Sequence, residues 1–135
     1  MPFARIDIIR GKSTQYKRTI GDVVYAAMVD ILKAPANDRF QVIAEHPPEC
    51  HIADDGYLGV TRTQDCVFVQ LTLNAGRTLD QKKGFYRAVA DGLHDRLGRI
   101  EHGRRTLDPI AHWTGSLRRR QHDRHGDVVR KNRRK

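Results

Sequence analysis

A chain that repeats its own turns at a fixed interval has few folds open to it, and this one does so at an interval of 65 residues. Shifted by that amount, Gly11-Lys12-Ser13 falls on Gly76-Arg77-Thr78, Ile6 and Ile8 on Leu71 and Leu73, and Lys17-Arg18 on Lys82-Lys83. Ile20 then falls on Phe85 and Val24 on Val89. Identity between the halves is low, but order and spacing agree at every level, which is the mark of a duplicated unit. Within the first copy, Ala4, Ile6 and Ile8 alternate with Arg5 and Asp7, a half-buried strand over 3–9. Ser13 is placed as an N-cap. Ile20, Val23, Val24, Ala27 and Ile31 then recur at spacings of three and four, predicting a helix over 14–33 that Pro35 and Asn37 end. Residues 40–44 read as a strand, 57–60 as a short strand, 67–73 as a more apolar central strand and 79–97 as a second helix. The expectation is an α/β (α+β) fold. Duplicated β-α-β units form a four-stranded mixed sheet with two helices on one face, and the other face, left to a partner, predicts an oligomer.

Charge divides the 135 residues differently. Residues 1–103 hold 14 basic and 13 acidic side chains, whereas residues 104–135 hold 11 and 3, so nearly all of the net charge of +9 lies at the C-terminal end. The expected organisation is one domain over 1–103 and a basic tail over 104–135. Such a tail reads as a grip on nucleic-acid phosphates, a targeting patch, a solvated extension, or an altered end that replaces the usual one. No apolar run reaches the roughly 20 residues of a membrane span, and the N-terminus lacks a secretory pattern, so no membrane partner and a cytoplasmic location are expected. Cys50 and Cys66 are too few for a disulfide framework and have no partner at zinc-ligand spacing, so no structural metal is expected.

The repeat gives the N-terminus an address. Pro2 corresponds to Val67, the first residue of an interior strand, so Pro2 is expected to begin a strand. A small residue after Met1 lets the initiator be trimmed, leaving Pro2 with a free secondary amine. An α-amino group titrates near 8, within reach of neutrality once neighbours or burial act on it. It can therefore serve as general acid or base. Lys12 and Arg77 follow strands one and three, where loops commonly build sites, and a guanidinium there could hold a carboxylate and stabilise an enolate oxygen. Asp38 precedes the second strand and could orient a water or hold a proton on the amine; its plainer role is a loop carboxylate.

These residues carry a resemblance. Pro2-Phe3-Ala4-Arg5-Ile6-Asp7, Asp38 through Pro47, Tyr57 through Thr63 and Leu73 through Lys83 resemble the tautomerase superfamily over residues 2–97. The similarity is greatest to its longer, fused members, among them malonate semialdehyde decarboxylase. The resemblance implies a duplicated β-α-β fold, a homotrimer and no cofactor. It implies Pro2 as the amino-terminal acid or base, Asp38 as the aspartate that tunes or assists it, and Arg77 as the arginine for the substrate carboxylate. Two positions depart from the pattern: Ala75 stands where the decarboxylase has a second arginine, and Lys12 where short members have one. The expected activity is keto–enol tautomerisation of a small oxo acid, with Lys12 assisting Arg77. The alternatives are a decarboxylase or hydratase on the same site, and a non-catalytic protein that binds nucleic acid through its tail.

Overall fold

The computed structural model describes residues 2–54, 63–97 and, by backbone alone, 109–115. Strand β1 (Phe3–Ile9) leads through Gly11 into helix α1 (Thr14–Asp30), which returns to strand β2 (Gln41–His46). A short 3₁₀ turn at Pro48–Cys50 follows. The second half repeats the order as β3 (Val67–Leu73), α2 (Leu79–Leu97) and β4 (Pro109–Gly115). The sheet order is β2-β1-β3-β4, with β1 parallel to β2, β3 parallel to β4, and the two halves joined by antiparallel β1 and β3.

The register of that central pair is what an internal two-fold requires. Ala4 pairs with Leu71 and Ile6 with Val69. The 65-residue shift carries Ala4 onto Val69 and Ile6 onto Leu71, so each pair maps onto the other and the symmetry axis runs between β1 and β3. Side chains alternate accordingly. Ala4, Ile6 and Ile8 of β1 and Val67, Val69, Leu71 and Leu73 of β3 are buried on the helix side, against Ile20, Val24 and Met28 of α1 and Phe85, Val89 and Leu93 of α2. Arg5, Gln70 and Thr72 remain exposed on the opposite face, and Val42 is 46% exposed.

Helix α1 ends three residues before the expected position. Its last turn closes on itself: Ile31 caps it, Lys33 takes a left-handed φ of 56°, and the Ala34 N–H returns to the Met28 carbonyl at 3.0 Å. Apolar spacing continued past Asp30 because Ile31 and Leu32 still pack against the core.

Strand β4 corrects the expected boundary at residue 103. A β-α-β unit needs a strand after its helix, and Pro109–Gly115 contains no Lys, Arg, Asp or Glu, an uncharged island within the basic run. Counting charge over 104–135 averaged that island away. In the first copy Gln41 lies beside Ala4; in the second Ala111 lies beside Val69, five positions later than an exact repeat would place it. The expected strand at 57–60 and the arginine-rich residues 116–135 lie outside the described residues.

Candidate active site

Topology alone decides which of the sequence-predicted residues can meet. The N-terminal end of β1 lies beside the C-terminal end of β3, with Phe3 opposite Thr72, because that pair is antiparallel. The same end holds the start of β2, because β1 and β2 are parallel: the Ala4 N–H donates to the Phe40 carbonyl at 3.0 Å. Pro2, buried at the head of β1, the segment carrying Asp38, and the turn carrying Arg77 therefore share one end of the sheet.

That turn is firmly built. Gly76 has a φ of +124°, a conformation that side chains disfavour, and an added Cβ there would meet nothing within 4 Å. Gly76→Ala is thus a purely backbone perturbation and is expected to lower stability by about 1–2 kcal/mol, read as a lower denaturant midpoint. Thr78 and Gln81 then form a reciprocal capping box. The Gln81 N–H donates to Thr78 Oγ1 at 3.1 Å, and the Thr78 N–H donates to Gln81 Oε1 at 2.9 Å. Arg77 itself folds towards the end of α1, donating from Nε to the Leu32 carbonyl at 3.1 Å and from Nη1 to the Asn74 carbonyl at 3.1 Å. A cation suits the negative end of α1. A guanidinium has five N–H donors, and these two contacts leave the others for an anion.

Within one chain Lys12 stands apart from this group. It follows β1 as Arg77 follows β3, and antiparallel pairing sends the two turns to opposite ends of the sheet. There Lys12 Nζ is 2.5 Å from Asp65 Oδ1 and 5.2 Å from the centre of the Tyr16 ring. Burial first, and then the Asp65 charge, push the Tyr16 phenol up to about 12. The residue that stands to Lys12 as Pro2 stands to Arg77 is Val67, whose side chain has no ionisable group.

The open face carries a network that sequence periodicity did not single out. Asp7 accepts from Arg5 Nε at 2.9 Å and from Arg5 Nη2 at 3.0 Å, and its Oδ1 lies 2.6 Å from His46 Nε2. Burial pushes the Asp7 carboxyl up, but the hydrogen bonds and charges of Arg5 and His46 outweigh it and hold the group below the ordinary carboxylate range. A depressed folded value means the contribution is present above about pH 4 and is lost as pH falls through the lower folded value. Asp7→Asn is expected to lower the melting temperature at neutral pH and to flatten its fall below about pH 4. Alternation on β1 could have paired Arg5 with Asp7; nothing local points to His46. The Thr78-x-x-Gln81 box was likewise legible as a spacing, whereas the Leu32 carbonyl that receives Arg77 has no signature in sequence.

Comparison with known proteins bears on the family and the fold. Two family models, each described as a tautomerase enzyme, match residues 2–60 and 38–101. The chain is 33% identical over 98 residues to the probable tautomerase YusQ of Bacillus subtilis (strain 168), covering 73% of this chain and 77% of that one. Among solved structures it is similar to FG41 malonate semialdehyde decarboxylase inhibited by 3-bromopropiolate. The TM-score is 0.74 at 30% identity, over 84% of this chain and 82% of that one. A fused 4-OT described as a symmetric trimer shares the fold, with a TM-score of 0.60 at 18% identity over 84% and 85% of the two chains. The chain belongs to the tautomerase superfamily, and it is an enzyme of the tautomerase type.

Proposed function

We propose that the chain is a cofactor-independent tautomerase that uses the amine of Pro2, exposed by removal of Met1, to move a proton between carbon and oxygen of a small oxo acid. The observation that carries this reading is the strand pairing that brings Pro2, the Asp38 segment and the Arg77 turn to one end of the sheet. Arg77 holds the substrate carboxylate through the donors that Leu32 and Asn74 leave open. The neutral amine takes the proton next to the carbonyl, the guanidinium steadies the enolate that forms, and the protonated amine returns the proton to the other atom. Asp38 acts on the amine through charge: a nearby carboxylate favours its protonated form.

That last effect supports a second reading. An amine kept protonated donates rather than accepts, and the same site then favours loss of carbon dioxide from a 3-oxo acid or hydration of an activated bond. Similarity to malonate semialdehyde decarboxylase, together with Asp38, favours it; Ala75, which supplies no second guanidinium, weighs against that particular substrate. The active form is a homotrimer in either case, and the exposed Val42 and Phe40 beside the open face support burial against a second copy.

Ketonisation of an aryl-enolpyruvate, followed by ultraviolet absorbance across pH, tests both readings. A rate rising through a pKa near 7 supports the amine as base. A rate that falls above a higher value, with carbon dioxide released from a 3-oxo acid, supports it as acid. A protein inactive in both assays overturns the proposal.

A further inference from the structure

The segment that brings Asp38 to the site is held from outside the site. Asp38 is followed by Arg39, whose guanidinium turns away to α1: Nη2 donates to Asp22 Oδ1 at 2.8 Å, and the charge lies 4.8 Å from the centre of the Tyr25 ring. Arg39 Nε donates to Gln41 Oε1 at 3.1 Å, and Gln41 Nε2 in turn donates to the Gly21 carbonyl at 2.9 Å. The segment is also fixed by its own backbone, from Asp38 N–H to the Pro35 carbonyl at 3.2 Å and from Ala4 N–H to the Phe40 carbonyl at 3.0 Å.

Gly21 is what lets this clasp lie on the helix. Glycine in a helix interior is a poor choice by propensity, yet Gly21 is buried in the middle of α1. A Cβ there would stand 3.0 Å from Gln41 Oε1 and 3.1 Å from Arg39 Nη2. Both atoms are tips of flexible side chains, so a methyl group displaces the clasp rather than the helix.

Resting on the proposed role of Pro2 and Asp38, we infer that Arg39 is a positioning residue, clasped by Asp22, Gln41, Gly21 and Tyr25 so that Asp38 is set at the head of β1 and sets the ionisation of the Pro2 amine. The clasp acts in two ways. It fixes the backbone on which Asp38 is carried. It also engages the guanidinium next in sequence on Asp22, so that this cation does not turn onto Asp38 and neutralise it. Loss of the clasp weakens the carboxylate's hold on the amine, and an amine with less carboxylate beside it loses its proton at lower pH.

The test needs no knowledge of the substrate. 2-Oxo-3-pentynoate is an electrophilic alkyne. The neutral Pro2 nitrogen adds its lone pair to the β-carbon, one π bond of the alkyne breaks, and the nitrogen proton passes to the α-carbon. Labelling rate against pH, read by intact mass and peptide mapping, therefore titrates the amine. Asp38→Asn is expected to move the midpoint down by about one pH unit. Arg39→Gln, Asp22→Asn and Gly21→Ala are expected to move it the same way by about half a unit, which is roughly threefold faster labelling below the midpoint. The melting temperature of Gly21→Ala, in which alanine's gain in the helix offsets part of the displaced contacts, checks that the variant is folded. Arg39→Gln added to Asp38→Asn moves the midpoint no further than Asp38→Asn alone. If Asp38→Asn shifts the midpoint and the three clasp variants leave it in place, the inference is overturned while the role of Asp38 stands. If Asp38→Asn leaves it in place, or Pro2 is not labelled, the reading beneath the inference fails and the inference with it.

Discussion

Replacing Pro2 with alanine is expected to lower kcat by about 10²- to 10⁴-fold while leaving KM within a few-fold, because a positioned general base or acid contributes a factor of that size to the chemical step. The corresponding rise in the barrier is about 3–5 kcal/mol. The split between the constants follows from the proposed division of labour, in which Pro2 moves the proton and Arg77 holds the anion. Alanine leaves a primary amine at the terminus, so a companion protein is needed to separate the amine from the ring. A tag left uncleaved ahead of Pro2 keeps the side chain but turns its nitrogen into an amide, which does not titrate. It is expected to lose at least as much activity as Pro2→Ala. Full activity in the tagged protein would exclude the Pro2 nitrogen as acid or base. Intact mass is expected to show the untagged parent one methionine shorter than the sequence.

Much of the scaffold was legible because the duplication is a constraint on spacing, and spacing is what a sequence displays. Ile6 with Leu71 and Ile20 with Phe85 recur at one interval, and each member of these pairs is buried on the helix side. Strand pairing is not displayed in the same way. Lys12 and Arg77 are equivalent by repeat, and only the antiparallel arrangement of β1 and β3 shows that equivalence places them at opposite ends. A guanidinium and an ammonium read as neighbours from the motif were separated by the length of a strand. Strand β4 was obscured for another reason. Composition reads as a tail there, and the seven uncharged residues from Pro109 to Gly115 are too few to outweigh the arginines around them, although a second β-α-β unit requires a strand after its helix. The contacts that shape the site lie further from sequence still, since a backbone carbonyl such as that of Leu32 is the same group in every residue.

Arg77→Ala is expected to lose activity and stability together, and the two losses can be told apart. On the catalytic side, removing the guanidinium withdraws a charge-assisted contact to the carboxylate and the positive charge beside the enolate. A kcat/KM lower by about 10²- to 10³-fold is expected, much of it in KM. On the structural side, the Leu32 and Asn74 carbonyls lose their 3.1 Å donors. Asn74 is exposed, so water replaces its donor, whereas Leu32 is buried and its carbonyl is left short of a partner, so the cost is about 1–2 kcal/mol, measured as a lower denaturant midpoint. Arg77→Lys separates the terms. Lysine keeps the charge, so the enolate is still partly stabilised, but a single ammonium cannot reproduce a planar fork facing carbonyls on one side and a carboxylate on the other. KM is therefore expected to rise more than kcat falls, with most of the stability loss retained. A variant that loses stability yet keeps both kinetic constants would reduce Arg77 to a cap on α1. The anion would then have to be held by another cation at the Pro2 end of the sheet, a place that Lys12 of the same chain, beyond the other end of β1, does not reach.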